Sequence, residues 1–274
     1  MLKTRVITAL LLLTVLLPVL FFHSLPAFAV VTLLFFAAAI WESFRLFRTR
    51  YPIAAAILWC IVFGYLAYIG HIQNSPLLFA LSVAIWIFRL IPSLAIGLPH
   101  FNGIGNRFLN GVYAISILAC FTAMKVLFDH SSLYLLSVMM VVWVADIGAY
   151  FAGKTFGKHK LAPSISPGKS WEGAVGGWFF VMVFASASTF APSLADTFAA
   201  QLLAKLGWLG FIGIMTLMVA ASVVGDLFES QLKRRAEMKD SSTLLPGHGG
   251  VLDRIDALIP SLPLAALLTF WLWG

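Results

Sequence analysis

Two carboxylates stand where a strongly apolar chain has little use for them: Asp146 and Asp226, each near the end of a long hydrophobic run. An ionised acid at the centre of a bilayer costs roughly 2.5–3.5 kcal/mol on insertion scales, so even near an interface it wants a cation or a polar partner. Beyond Asp226 the chain reads Asp226-Leu-Phe-Glu229-Ser230-Gln-Leu-Lys233-Arg234-Arg235. If the run continues as a helix, Asp226, Ser230, Lys233 and Glu237 project along one stripe. A solvated, charged helix end would give the same pattern, and the residues that follow decide between the two. Leu245-Pro246-Gly247-His248-Gly249-Gly250 is too glycine-rich for a regular helix and suits close approach of backbone to a ligand. Asp253-Arg254-Ile255-Asp256 comes next, its acids three apart on one face of an entering helix. Asp226, Asp253 and Asp256 offer oxygen ligands for Mg2+, a hard cation commonly shared between carboxylates and substrate phosphates. Lys233, Arg234, Lys239 and Arg254 can offset phosphate charge. His248 reads equally as a general acid, as a hydrogen-bond donor, or as a brace for the turn.

An earlier stretch, Ser164-Ile-Ser166-Pro-Gly-Lys169-Ser170-Trp-Glu172-Gly173, has a related character. Two serines, a lysine and the start of a helix can cradle an anion, because the first amides of a helix are unpaired and its dipole favours negative charge. The same residues also read as an ordinary helix cap. Gly173 and Gly177, four apart, suggest close helix packing. One motif is refused. Gly148-Ala-Tyr-Phe-Ala-Gly153-Lys154-Thr155 fits the phosphate-binding loop G-x4-G-K-[ST], but that loop needs a strand before it and a helix after it. Here an apolar span precedes it and a loop follows.

The elements that must position these residues are membrane spans. Hydrophobic residues make up 61% of the 274-residue chain and charged residues 11%, against about a quarter charged in a soluble domain. A chain buried in lipid satisfies its backbone as helices or as a closed barrel, and uninterrupted apolar runs exclude the barrel. The formal charge of +7 does not indicate nucleic acid, because the bases fall in short loops between apolar spans. Cys60 and Cys120 lie inside apolar segments and read as small buried hydrophobes.

Runs of about 20 apolar residues give nine spans, at 6–22, 25–41, 53–71, 76–96, 108–124, 131–151, 171–191, 208–228 and 255–273. The fourth is interrupted by Arg89 and Pro92. Ala27-Phe28-Ala29 after the first run fits a secretory cleavage site, but the run is long for a signal and another span follows at once. With the N-terminus inside, sixteen of the 18 Lys and Arg residues fall on the cytoplasmic side, and only Lys125 and Lys205 on the other. That bias predicts an all-α, polytopic membrane protein oriented N-in, C-out. The polar exceptions are two cytoplasmic loops, about 152–170 and 229–254, so chemistry is expected there. The chain divides into a scaffold of N-terminal spans, 1–125, and C-terminal spans with the catalytic loops, 126–274.

Taken together, Ser230-x-Leu232-Lys233-Arg234-x4-Lys239-Asp240-x-Ser242-x2-Leu245-Pro246-x-His248-Gly249-Gly250-Val251-x-Asp253-Arg254-Ile255-Asp256 resembles the signature of the phosphatidate cytidylyltransferase (CDP-diacylglycerol synthase) family. Ser166-Pro-Gly-Lys169-Ser-Trp-Glu172-Gly173 and Asp146-Ile-Gly-Ala-Tyr resemble further motifs of that family, and the likeness is strongest over 143–256. The resemblance implies transfer of a cytidylyl group from CTP to phosphatidic acid, giving CDP-diacylglycerol and pyrophosphate with a divalent metal. It also implies a bacterial inner membrane, a cytoplasmic site and a homodimer. On that reading Asp226, Asp253, Lys233, Lys239 and His248 are catalytic, and Asp226, Asp253 and Asp256 hold Mg2+, with a second, monovalent cation left open. Ser166, Lys169, Ser230, Arg234, Asp240 and Arg254 bind substrate. A transporter would place ionisable groups near the midplane of repeated halves, and no repeat is seen. A silent lipid-binding scaffold would have lost its carboxylates. Transfer to another lipid phosphate, such as a polyprenyl one, leaves no distinguishing motif.

Overall fold

The computed structural model describes residues 16–68 and 76–273, together with residues 8, 10 and 14. Its long helices follow the apolar runs. They are α1 (Leu25–Leu46), α2 (Pro52–Tyr68), α3 (Leu77–Ile96), α4 (Ile104–His130), α5 (Ser132–Phe156), α6 (Trp171–Ser188) and α7 (Phe198–Arg235). A short α8 (Leu252–Ile255) leads into α9 (Leu258–Trp273). Among the described residues five helices, α1, α3, α4, α5 and α7, are long and apolar enough to cross a membrane. The expected span at 6–22 lies partly outside the described residues, as do 69–71 of the span at 53–71.

Local chemistry explains the element boundaries. Ser131, Ser170 and Thr197 cap α5, α6 and α7, each side-chain oxygen accepting the N–H three residues on. Such caps satisfy a donor that the first turn leaves unpaired. In α3, Pro92 has no N–H to return to the preceding turn, and the helix widens to a π turn over Trp86–Leu90 just before it. In α7, Gly207 takes φ 64° and ψ −176°, so the 38-residue stretch is two helical segments with a break. The segment after Gly207 does not stop at the expected 228. It runs on to Arg235 because Phe228 and Leu232, one turn apart, stay fully buried and keep that face packed. Likewise α5 continues to Phe156. The two polar loops therefore begin later than expected, at 157 and 236. The loop after α5 also departs from the all-α expectation: β1 (Lys160–Ala162) and β2 (Ser166–Ser170) form a small antiparallel hairpin. Residues 148–155, which mimic a phosphate-binding loop in sequence, lie within α5 as helix.

The bundle is organised around α4, the most buried of the five long helices, which packs on α1, α2, α3, α5 and α9. Its two ends differ in chemistry. At one end Thr8 donates to the Pro246 carbonyl, Asn106 to that of Phe47, Arg235 to that of Pro99, and Gln231 to that of Ser93. At the other end His23 meets Ser132, Ser131 meets Asp196, and Lys205 donates to the Leu272 carbonyl. Both polar loops belong to the first end.

Close packing between α5 and α6 depends on small residues. A Cβ added at Gly177 would lie 2.5 Å from the Ala145 carbonyl oxygen, and one at Gly173 2.9 Å from that of Ala149. The paired glycines expected from the sequence thus let two backbones approach directly. Replacing Gly177 by Leu should lower the unfolding midpoint of the detergent-solubilised protein, overpacking of this kind costing about 1–3 kcal/mol. In Gly213→Ala the added Cβ meets nothing within 4 Å, so its midpoint should stay near wild type.

Candidate active site

The end of α7, the β hairpin and the loop 236–251 meet at the first end of the bundle. Lys169, on β2, places its Nζ 2.5 Å from Asp226 Oδ2 on α7, so the two polar stretches of the sequence touch through an ion pair. Asp226 Oδ1 in turn accepts from the Ser230 hydroxyl at 3.3 Å, one helical turn further on. Asp146, at the level of this pair on α5, lies within electrostatic reach of both Asp226 and Lys169. Arg234 Nε donates to the Ile165 carbonyl at 3.4 Å, which ties the tip of the hairpin to α7 a second time.

Two turns along α7 from Asp226, Lys233 forms the centre of a second cluster. Its ammonium contacts Glu229 one turn back and Asp253 Oδ1 at 2.6 Å. Glu229 is fully buried and the Asp253 side chain is 3% exposed, so both acids depend on this ammonium. The other oxygen of Asp253 accepts three hydrogen bonds, from the Ser241 N–H, the Ser241 hydroxyl and the Gly250 N–H, at 2.7–2.9 Å. Burial works against the Asp253 charge, but Lys233 and the N–H donors prevail and hold its carboxyl below the usual carboxylate range. Asp256 joins the two clusters, lying within electrostatic reach of Asp226, Lys233 and Asp146. The backbones there are close: a Cβ on Gly225, next to Asp226, would sit 2.4 Å from the Asp256 carbonyl oxygen.

The loop itself turns tightly. Leu245 N–H donates to Gly249 and His248 N–H to Leu245, both at 2.8 Å, with Gly247 at φ 77° and Gly249 at φ 84°. Those left-handed backbones favour glycine. His248 Nδ1 is buried without a hydrogen-bond partner in the turn. Lys239, Asp240 and Arg254 are exposed, and Ser166 is half-buried on β2. Glu237, expected as the fourth member of the α7 stripe, stands beyond the helix end at φ 60°, so the stripe is Asp226, Ser230 and Lys233. The hydroxyl of Ser170 serves as the α6 cap, while Glu172 accepts from the N–H groups of Lys158 and His159 and contacts the His159 ring at 2.6 Å.

Two acids escaped the sequence reading. Glu229 was not given a role, and its place beside Lys233 follows only from the helix continuing past 228. Glu42 lies on α1, fully buried, and accepts from the hydroxyls of Ser241 and Ser242 and the N–H groups of Val251 and Leu252. A signal for it exists: it is the only acidic residue before Asp129 and stands directly after the apolar run 25–41.

The donor set suits a hard cation. Among the described residues no group of three or more His, Cys, Asp or Glu side chains converges as a metal cluster. Mg2+ usually takes only one or two carboxylates, with water and substrate phosphates completing its shell. Asp226 is 32% exposed, and the cation against it is the ammonium of Lys169.

The model of the cytidylyltransferase family matches residues 3–272. A phosphatidate cytidylyltransferase of Haemophilus influenzae is 36% identical over 294 residues, covering 99% of this chain and 99% of that protein. One of Pseudomonas aeruginosa is 39% identical over 286 residues, covering 100% of this chain and 99% of the relative. One of Bacillus subtilis is 36% identical over 163 residues, covering 60% of this chain and 57% of its own. With a match that runs nearly end to end and relatives aligned over their full length, this chain belongs to the cytidylyltransferase family.

Proposed function

We propose that the protein is a membrane cytidylyltransferase that makes CDP-diacylglycerol and pyrophosphate from CTP and phosphatidic acid, in phospholipid biosynthesis. The observation that carries this reading is the Lys169–Asp226 ion pair, which joins the two motif-bearing stretches in a chain whose full-length relatives bear the name phosphatidate cytidylyltransferase. A phosphate oxygen of the lipid attacks the α-phosphorus of CTP, the bond to the β-phosphate breaks, and pyrophosphate leaves. The lipid is its own nucleophile, so the protein has to position two anions, offset their charge and exclude misaligned approaches.

Residues of this chain divide that work by place. Lys169 and Lys233 can turn from their carboxylates to incoming phosphates, while Arg234, Lys239 and Arg254 stand at the exposed rim. Ser166 and Ser230 add hydroxyl donors, Asp240 lines the same rim, and His248 brings a ring nitrogen with no partner in its turn. Asp226, Asp253 and Asp256 would hold Mg2+, which supplies charge neutralisation at the departing pyrophosphate. The same proposal has nine spans, N-in and C-out in a bacterial inner membrane, with both polar loops in the cytoplasm. It makes 126–274 the catalytic part and 1–125 its scaffold, and pairs two copies as a homodimer. Sixteen of the 18 bases on one side favour that orientation.

Purified protein in liposomes with CTP, Mg2+ and phosphatidic acid should form lipid-linked CMP. Asp253→Ala should abolish the product while the variant still elutes as folded protein. Lys169→Met should lower kcat/KM about 100-fold, the scale of losing one charged donor to a transition state. Turnover near wild type in either variant would refute its assigned role. Chelation of divalent ions should stop the reaction and added Mg2+ restore it; activity that persists in chelator would remove the metal from the proposal. Orientation is read independently. A cysteine at Lys158 should react with a membrane-impermeant maleimide in inverted vesicles, and one at Ser193 in right-side-out cells. The opposite pattern would reverse the topology.

A further inference from the structure

We propose that Glu42 is a positioning residue for cytidylyl transfer, holding the loop 241–252 so that Asp253 faces Lys233. The inference rests on the function proposed above and extends it to a helix from which the sequence offered only a scaffold. Glu42 is fully buried on α1, and its two oxygens take four donors from two separated parts of the loop. Oε1 accepts from the Ser242 hydroxyl at 2.5 Å and the Val251 N–H at 3.1 Å. Oε2 accepts from the Ser241 hydroxyl at 3.1 Å and the Leu252 N–H at 2.7 Å. A single carboxylate thereby closes the loop, tying residues 241–242 to 251–252.

The loop residues held by Glu42 are those that place Asp253. Ser241 gives Asp253 Oδ2 its N–H, and its hydroxyl lies between the two acids, 2.9 Å from Asp253 and 3.1 Å from Glu42, with one proton to share between them. The third donor is the Gly250 N–H, and the Gly250 Cα faces Glu42: an added Cβ would sit 2.1 Å from Ser241 Oγ and 2.5 Å from Glu42 Oε1. Asp253 then extends its remaining oxygen to Lys233. Positioning passes from α1 through the loop to α7, and Glu42 itself contacts neither Lys233 nor Lys169 among the described contacts. Among the described residues Glu42 has no ion pair, so its partners are the loop's own N–H and O–H groups. A general packing anchor needs no such carboxylate: an apolar side chain would do on a buried helix face, and an acid there is costly unless its hydrogen bonds are filled.

The test compares Glu42→Gln, which keeps size but turns an NH2 toward backbone donors, with Ser242→Ala, which removes one of the four donors. In Glu42→Gln the unfolding midpoint in detergent should stay within a few degrees of wild type. Amide hydrogen exchange should rise about tenfold at 250–252 and not in α5 or α6, and kcat should fall about 10- to 100-fold, the cost of a misplacement near 1 Å. KM for CTP should change less than about threefold. Ser241→Ala added to Glu42→Gln should lower kcat little further, because both act through Asp253. Faster exchange at 250–252 with wild-type kcat would overturn the proposal, as would losses that simply multiply in the double variant. If Glu42→Gln does not fold, Ser242→Ala carries the test: a smaller rise in exchange at 250–252 with a matching fall in kcat supports it, and unchanged exchange overturns it. Wild-type protein inactive toward CTP and phosphatidic acid would sink the reading of function, while the exchange result would still report whether Glu42 holds the loop.

Discussion

Charge beside a hydrocarbon layer has to be compensated within a few ångströms, and the architecture at this end of the bundle follows from that requirement. Asp226 takes the Lys169 ammonium, Glu229 and Asp253 share that of Lys233, and Glu42 is surrounded by four neutral donors. Each solution uses a different part of the chain, so compensation is also what brings the parts together. A lone carboxylate on α7 would be a liability; with the hairpin folded over it, the acid becomes the point at which two distant stretches meet. The cost of leaving a buried charge unpaired, several kcal/mol for a deeply buried ion, is large against the net stability of a domain. Ion pairs of this kind earn little stability over an apolar substitute, but losing one partner is severe, which makes the site intolerant of partial disassembly.

The route from helix packing to the site is short. The α5–α6 seam is built so tightly that Ser170, the last residue of β2, is enclosed by glycines of both helices. A Cβ at Gly157 would meet Ser170 Oγ at 2.7 Å, and those at Gly173 and Gly153 would meet it at 3.2 and 3.3 Å. Ser170 also caps α6. With Ser170 locked on both counts, the neighbouring Lys169 leaves the seam on the side where α7 passes, and its ammonium reaches Asp226. The small residues that read as mere helix packing thus set where the lysine that pairs with Asp226 emerges.

How much of this was legible depended on the range of the physics involved. Apolar runs fix their own burial, so α1 and α3–α6 appear near their expected positions, and the interruption read at Arg89 and Pro92 falls beside a π turn in α3 that the sequence did not specify. Local patterns gave the Asp226, Ser230, Lys233 stripe and the glycine turn. What sequence could not supply was contact across the fold. Nothing near Lys169 marks Asp226 as its partner, since the two stand 57 positions apart with all of α6 and most of α7 between them. The extension of α7 to Arg235 depends on Phe228 and Leu232 finding cover from other helices, and Glu229 acquires its meaning only from that extension. Glu42 stands as an isolated acid at the end of an apolar run, but a buried carboxylate has no local signature for the four donors that await it 199 to 210 residues away.

On the proposed function, the pairing that compensates charge at the site would also prepare it for anions. Lys169 and Lys233 are committed to carboxylates by contacts that a phosphate can replace, because an ammonium is a compact charge on a flexible stem with three donors to distribute. On the proposed function, a nucleotide triphosphate approaching from water would draw both ammoniums toward itself and leave Asp226 and one oxygen of Asp253 facing a cation of their own. The second oxygen of Asp253 would not follow, since its three donors belong to a loop fastened from behind by Glu42. On that reading the carboxylate would have a fixed half and an exchangeable half. Rigid placement and exchange of partners, which usually oppose each other, are thereby assigned to different atoms of one side chain.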